Sequence, residues 1–201
     1  MQSAKAAANT LCNPETQVSA HYLIAEDGEV IALVPETERA WHAGAGQWGE
    51  ITDVNSRSIG IELANTGFTP FAAAQMDALT RLLQGIMTRW AIRPERVIGH
   101  SDMAPGRKID PGVRFDWRRL ALEGLSVWPS VGAETKEVDP AVFNAAMRTF
   151  GHRATDDPDL LLSVFRLRFR PRHEGPLDAI DIAMIQDLAC RFPVDASDTA
   201  T

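Results

Sequence analysis

The sequence predicts an α/β fold in its first part and a small three-helix module in its last. The first part mixes both kinds of element, with apolar strand-like runs at 18–25, 29–34 and 58–64 and helical segments at 3–12 and 70–90. Three helical patterns close the chain, near 140–150, 158–169 and 177–192. Residues 126–136 are typical of a linker, so we predict one domain over 1–128 and a second over 129–201.

Several of these elements carry boundary signals. The Ala-rich helix over 3–12 stops at Asn13-Pro14, and Asp27-Gly28 between the first two apolar runs is a strong hairpin signal. Thr69 is the expected N-cap of the long helix over 70–90, with Pro70 as its first residue.

The rest of the first part consists of loops and short elements. Residues 35–57 show no periodicity and contain two tryptophans, which indicates a long loop of the kind that often carries function. Residues 96–99 are expected to form a short strand that leads into His100. Asp116 is expected to cap a helix that runs to Leu125.

The composition excludes several classes of protein. With 20 basic and 27 acidic residues among 201, the net charge is −7, which disfavours a nucleic-acid partner. The sequence contains no run of 18 apolar residues, so no transmembrane helix is predicted, and residues 1–10 do not resemble a signal peptide. Cys12 and Cys190 lie at opposite ends of the sequence, so neither a disulfide framework nor a CxxC metal site is expected.

The segment over 99–112 combines residue types that suit a catalytic site. His100 follows an apolar stretch, Asp110 comes ten residues later, and Lys108 precedes it by two positions. In extended backbone, Lys108 and Asp110 would point the same way. Imidazole and carboxylate together suit zinc, and a lysine beside them could stabilise an oxyanion. The alternative is a surface loop with a solvated lysine and a turn-forming Asp-Pro.

Glu62 is unusual because it interrupts a strand that otherwise has the composition of a fully buried one. Buried glutamate is rare unless it is paired or functional. A carboxylate near a metal site is a natural general base. The alternative is a glutamate on the solvent side of a half-exposed strand, and alternation alone does not decide between the two.

Five motifs occur in an order that resembles one family. They are VSAHYLI at 18–24, AWHAG at 40–44, SIGIE at 58–62, GHSD at 99–102 and RKIDPG at 107–112. Together they resemble the zinc-dependent N-acetylmuramoyl-L-alanine amidases of the amidase type 2 family, relatives of the peptidoglycan-recognition proteins. LSVFRLRFRP at 162–171 further resembles the helical peptidoglycan-binding module of the AmiD-like branch.

The resemblance implies a mixed β-sheet flanked by helices, zinc as the cofactor, and peptidoglycan or muropeptide as the partner. The reaction it implies is hydrolysis of the amide between N-acetylmuramic acid and L-alanine. Residue by residue, it implies His100 and Asp110 as zinc ligands, Glu62 as the general base, and Lys108 as the group that stabilises the oxyanion. It also implies a substrate-binding role for four residues, Trp41, His42, Asn55 and Arg107.

One expected zinc ligand has no counterpart in this sequence. The family has three protein ligands, and its first histidine ends a strand that would precede the helix over 3–12. Three explanations remain open: a longer chain with that histidine upstream, completion of the site by His21, or a non-catalytic peptidoglycan-binding protein. The first explanation also leads us to expect reduced stability for the 201 residues alone, because neighbouring strands would lack a partner.

Other residues also allow two interpretations. Trp41 and Trp48 in the long loop could stack on sugar or peptide, or pack against the domain. The arginines at 166, 168, 170 and 172 could contact wall carboxylates or phosphates, or form a solvated helix face. By resemblance the location is the cell envelope, either periplasm or outer membrane, with the cytoplasm as the alternative because the sequence carries no export signal.

Overall fold

A computed structural model of the chain describes residues 3–130 and 138–195. They form two compact units. Unit 1 comprises the described residues of Met1–Gly46, Thr52–Ile92 and Pro111–Phe115, and unit 2 those of Gln47–Ile51, Arg93–Asp110 and Asp116–Thr201. Most of the expected linker, residues 131–136, lies outside the described residues. The expected boundary at 128 falls inside unit 2, and the division into independent domains at that point stays a prediction.

Unit 1 is built on a small mixed sheet, which confirms the predicted fold class. Its strands are β1 (Tyr22–Ile24), β2 (Val30–Ala32) and β3 (Ile61–Leu63), in the order β2-β1-β3. β1 pairs antiparallel with β2 and parallel with β3. Each strand has three residues and is shorter than the apolar run that predicted it, because hydrophobicity marks burial rather than strand pairing.

The hairpin between β1 and β2 confirms the Asp27-Gly28 signal. The N–H of Gly28 donates to the carbonyl of Ala25 over 3.0 Å, and the N–H of Ala25 donates to Glu29 over 2.9 Å. Gly28 has a φ of 90°, and a Cβ there would lie 2.6 Å from the carbonyl oxygen of Ala74. Both the turn and this close approach therefore require glycine.

Two helices pack on the sheet of unit 1. Helix α1 (Ala4–Leu11) is capped by Ser3, and its buried Ala7 and Leu11 cluster with Leu23 of β1. Helix α2 (Ala73–Trp90) is held by Gln75, whose Nε2 donates to the carbonyls of Ile24 and Ala64 at the ends of β1 and β3.

Helix α2 begins later than the sequence predicts. The expected N-cap, Thr69, instead donates its hydroxyl to Oδ1 of Asn65, which also accepts the N–H of Gly67. This local turn keeps Thr69 and Pro70 outside the helix, and Ala72 takes the N-cap position. The prediction of the start was wrong by three residues, whereas the predicted end at Trp90 is confirmed.

The segment that carries His100 belongs to unit 2 and differs from its prediction. Instead of a strand over 96–99, it forms a 3-10 helix at Pro94–Arg96 and a short helix α3 (His100–Met103). The carboxylate of Asp102 accepts the N–H of Gly99 over 2.8 Å, which starts a helical turn at His100. Helix α4 (Trp117–Leu122) follows Asp116, its predicted cap, but ends before Leu125.

The three predicted C-terminal helices are confirmed. They are α5 (Pro140–Phe150), α6 (Pro158–Phe169) and α7 (Ala179–Arg191), and each has an aspartate as its N-cap. Phe143, Phe150, Phe165 and Phe169 meet edge-on or tilted in their core, with ring centroids 5.3–6.0 Å apart. Among the helices of the described ranges, none combines the length and apolarity needed to cross a membrane.

The arginines of α6 do not form the solvated face that the sequence suggested. Arg166 and Arg168 are buried, 7% and 2% exposed. Arg166 pairs with the buried Asp181 of α7 and donates to the carbonyls of Gly175 and Pro176. Residues 166 and 168 lie about 200° apart around a helix, so they cannot share one solvent face.

His152 is a fully buried titratable group in unit 2. Its ring is nearly perpendicular to that of Trp48, with the ring centroids 4.9 Å apart, and its Nε2 lies 3.9 Å from Oδ1 of Asp102. Burial lowers the pKa of His152 to about 4. The negative charge of Asp102 acts to raise this pKa, and the positive charge of Arg168 acts to lower it. The folded protein therefore holds this imidazole neutral.

We predict that the folded protein loses stability as the pH falls from about 6.5 to about 4. A histidine in the unfolded chain titrates near 6.5, so on acidification the unfolded chain takes up a proton at a higher pH than the folded protein does. The contribution of neutral His152 to the free energy of unfolding is therefore fully present only above about pH 6.5. Between about pH 7 and about pH 4.5 the loss is roughly 2 kcal/mol. Urea unfolding of the wild type and His152→Leu at both pH values measures it, and equal pH dependence in the two proteins would contradict the assignment.

Candidate functional site

His100 and Asp110 are brought into direct contact within unit 2. His100 begins α3, and Nδ1 of its ring contacts Oδ2 of Asp110. The backbone supports the contact, because the N–H of Ser101 donates to the carbonyl of Asp110 over 3.0 Å. The His100 side chain is 18% exposed and that of Asp110 is 48% exposed. Two side chains of the types that can bind a metal, an imidazole and a carboxylate, thus meet at one partly accessible point.

Lys108 lies two residues before Asp110 in the loop after α3, and its role at this point stays a prediction. Its backbone N–H donates to the carbonyl of Ala104 over 3.0 Å, which fixes the loop after α3. Burial acts to raise the pKa of Asp110, but the contact with His100 and the charge of Lys108 outweigh it and lower the pKa. Asp110 is therefore held as a carboxylate. Arg107, one position earlier, is exposed.

Glu62 lies at the centre of β3 in unit 1. It stands opposite Leu23 in the parallel pair with β1. Ile61, Glu62 and Leu63 are each half-buried, so the strand is not the fully buried one that its composition suggested. The reason is position: in the described sheet, β3 is at the edge and has β1 alone as its neighbour. Glu62 keeps partial access to solvent, which a proton-transferring carboxylate needs.

His21 has a structural role in this fold. It is 1% exposed, its Nδ1 accepts the N–H of Gly60 over 2.9 Å, and its Nε2 donates to the carbonyl of Glu38 over 3.0 Å. Both ring nitrogens are thereby used, one as acceptor and one as donor. The interpretation of His21 as a third zinc ligand has no support in this geometry, since metal binding would break one of these bonds.

Asn55 stabilises the loop that follows β2 in unit 1, in which His42 lies. Oδ1 of the buried Asn55 accepts the N–H groups of His42 and Ala43, over 3.0 and 2.8 Å. A Cβ at Gly60 would collide with the His42 ring, which therefore needs glycine at that position. Asn55, expected to bind substrate, directs its oxygen to this loop, and its role in binding stays a prediction.

The two loop tryptophans differ in exposure, and the stacking role of Trp41 stays a prediction. Trp41 is 54% exposed, with the guanidinium of Arg39 over its ring at 4.0 Å. It borders a groove of about 550 Å³ beside the end of α1. Trp48 is 4% exposed and packs in unit 2 against Phe150 and His152. Only Trp41 is available to stack on a ligand.

The donor chemistry of His100 and Asp110 fits zinc, which binds imidazole nitrogen and carboxylate oxygen. Catalytic zinc sites normally have three protein ligands. Within residues 3–130 and 138–195, no group of three or more His, Cys, Asp or Glu side chains could hold a metal ion. The pair therefore has the donor types of a zinc site but supplies two groups where such a site normally has three.

The sequence did not reveal the support around His100. Asp102 is 1% exposed and accepts both the N–H of Gly99 and a hydrogen bond from Arg168 of α6. One available signal was the aspartate three residues after Gly99, the spacing of a carboxylate that caps a helix start. The other signal was the position of Arg168 between Phe165 and Phe169 in a predicted helix, which indicates that it faces the core.

Comparison with known families places residues 1–113 in the N-acetylmuramoyl-L-alanine amidase family. The chain is similar to the N-acetylmuramoyl-L-alanine amidase AmiD of Escherichia coli, with 35% identity across 90% of this chain and 77% of AmiD. It is also similar to the 1,6-anhydro-N-acetylmuramyl-L-alanine amidase AmpD of Enterobacter cloacae, with 45% identity across 51% of this chain and 55% of AmpD.

Solved structures give the same result. The complex of E. coli AmiD with anhydro-N-acetylmuramic acid-L-Ala-D-γ-Glu-L-Lys matches with a TM-score of 0.85 and 33% identity, over 94% of this chain and 84% of AmiD. Pseudomonas aeruginosa AmpDh3 in complex with anhydromuramic pentapeptide matches with a TM-score of 0.82 and 30% identity, over 94% and 88% of the two chains. The family match covers more than half of the sequence, and this chain belongs to the N-acetylmuramoyl-L-alanine amidase family.

Proposed function

We propose that this amidase hydrolyses the bond between the lactyl group of the N-acetylmuramic acid unit and L-alanine in anhydro-muropeptides, with zinc as its cofactor. The observation that carries the proposal is the similarity to AmiD, whose solved complex contains such a substrate. The proposal is also supported by the contact of His100 with Asp110, two side chains that suit zinc, and by the nearby positive charge of Lys108.

His100 and Asp110 are the residues that would hold the metal. A bound zinc ion supplies Lewis-acid polarisation of a carbonyl and acidification of a water molecule. The protein contributes the fixed direction of its two ligands. The short helix α3 sets the direction of His100, and the hydrogen bond between Ser101 and Asp110 ties the second ligand to the first.

Glu62 and Lys108 would provide the proton transfer and the charge stabilisation. Amide hydrolysis needs a base that takes a proton from the attacking water and returns it to the leaving amine of L-alanine. Glu62, half-buried on an edge strand, has the access that this role requires. Lys108 carries a positive charge that would stabilise the oxyanion formed as the carbonyl carbon becomes tetrahedral.

The exposed Trp41 is our candidate for contact with the sugar or peptide of the substrate. Its backbone is fixed by Ser19, whose hydroxyl accepts the N–H of Trp41 over 2.9 Å. A rigid backbone and an accessible ring suit stacking. His42 on the adjacent position and Arg107 in the exposed loop after α3 stay proposed binding residues with it.

The cell envelope is the location we propose, with the cytoplasm as the alternative. The similarity to AmiD extends over 90% of this chain and so includes the C-terminal helices, whereas the similarity to AmpD covers 51%. By resemblance, the relatives with this helical module act in the envelope. A peptidoglycan-binding role for residues 129–201 stays a prediction.

The experiment that tests the proposal is incubation of the zinc-supplemented protein with anhydro-N-acetylmuramyl-L-Ala-D-γ-Glu-L-Lys, followed by mass spectrometry of the products. The proposal requires free anhydro-N-acetylmuramic acid and a tripeptide with an unblocked L-alanine amine. Binding of the muropeptide without release of either product would instead support the alternative of a non-catalytic wall-binding protein.

We predict that Glu62→Gln lowers kcat by a factor of about 10² to 10⁴, the usual contribution of a positioned general base. The amide keeps the size of the side chain but cannot accept the proton. Steady-state kinetics measure the effect, with Glu26→Gln in the exposed hairpin turn as the matched control. Equal kcat values for the two variants would remove Glu62 from the mechanism.

We predict that Lys108→Met lowers kcat by a factor of about 10² to 10³, the loss typical of one oxyanion partner. KM and bound zinc should change little, because the lysine acts on charge that develops during the reaction. Lys5→Met on the exposed face of α1 is the matched control. A loss of zinc in Lys108→Met with kcat per bound zinc unchanged would refute the oxyanion role.

A further inference from the structure

Arg168 of α6 is buried in unit 2 and donates to three groups. Nη1 donates to Oδ2 of Asp102 over 2.8 Å, and Nη2 donates to the carbonyl of Val97 over 3.1 Å and to Oγ of Ser126 over 3.0 Å. The guanidinium plane also lies over the ring of Trp117, with Cζ 4.1 Å from the centroid. Arg168 is 2% exposed and Asp102 is 1% exposed.

Two of these acceptors flank His100 in sequence. Val97 precedes it by three residues and Asp102 follows it by two. Asp102 also accepts the N–H of Gly99, the residue directly before His100. The planar fork of one arginine thus holds the backbone before α3 and the side chain that starts α3.

The cost of burying two charges restricts how far α3 can move relative to α6. A guanidinium and a carboxylate buried together are stable only in well-aligned contact, because each carries a large desolvation cost that its partner must offset. A shift of α3 away from α6 would leave two buried charges without compensation. The pair therefore permits α3, and with it His100, only a narrow range of positions.

We propose that Arg168 is a positioning residue of the amidase: it acts through Asp102 and Val97 to fix His100 where it meets Asp110. The inference rests on the proposed function for its catalytic consequence and on geometry alone for the placement of His100. It gives the C-terminal helices a direct part in forming the active site, in addition to any part in binding the cell wall.

A merely structural arginine offers the control. Arg166, two residues earlier in α6, is also buried and also pairs with a buried aspartate, Asp181 of α7. Its hydrogen bonds to Asp181 and to the carbonyls of Gly175 and Pro176 lie within the C-terminal helical part. Loss of Arg166 should therefore cost stability without moving His100.

The test compares Arg168→Gln with Arg166→Gln at a temperature well below both melting points. Hydrogen exchange followed by NMR reports on two amides, Ser101, whose N–H donates to Asp110, and Ala104, whose N–H donates to His100. We expect these amides to exchange at least tenfold faster in Arg168→Gln than in Arg166→Gln, and kcat/KM on the anhydro-muropeptide to fall at least tenfold further.

A conservative variant keeps the test decisive if Arg168→Gln does not fold. Arg168→Lys retains the charge and can reach one acceptor, but it cannot serve Asp102, Val97 and Ser126 together. It should fold and show exchange rates and kcat/KM between those of the wild type and Arg168→Gln. The double variant Asp102→Asn, Arg168→Gln should lose less kcat/KM than the two single variants would lose together, because each single substitution already removes the same interaction.

The outcomes separate this inference from the proposed function. Faster exchange near His100 together with lower activity supports the positioning role. Exchange and activity equal to those of Arg166→Gln overturn it, and faster exchange with unchanged activity overturns its catalytic part. A wild-type protein without amidase activity refutes the proposed function, and the exchange comparison then still decides whether Arg168 places His100.

Discussion

The buried ion pair between Arg168 and Asp102 is the interaction on which the site in unit 2 depends. Both side chains are nearly inaccessible, so each needs the other to offset the cost of its burial. Asp102 lies two residues from His100 and sets the start of α3 through Gly99. The contact of Arg168 with Asp102 inside the helical part thereby restricts the position of His100, which contacts Asp110.

The sequence predicts most of the fold where local signals and packing agree. The Asp27-Gly28 hairpin, the long helix ending at Trp90 and the three C-terminal helices are confirmed, because each has turn, cap or periodic signals of its own. The predicted strand before His100 was wrong. Residues 97–99 form neither helix nor strand, and the carboxylate of Asp102 accepts the N–H of Gly99 so that a helical turn begins at His100, a capping contact that hydropathy does not report.

The candidate site was predictable in its residue types and not in its supports. Five ordered motifs identified His100, Asp110, Lys108 and Glu62, and the structure brings the first two into contact. His21 shows the limit of the method: the sequence gives a histidine in an apolar strand, and only the hydrogen bonds to Gly60 and Glu38 show that both its nitrogens are occupied. Arg168 was expected to contact the cell wall or solvent, and its pairing with Asp102 was missed because the two residues lie 66 positions apart in sequence.

We propose that this amidase works through a metal held by His100 and Asp110. The most direct measurement is a zinc titration of chelator-stripped protein, with bound zinc and release of the L-alanine peptide measured in the same samples. We predict turnover proportional to bound zinc, rising to saturation at about one ion per chain. Full turnover in the stripped protein, or stoichiometric zinc without peptide release, would contradict it.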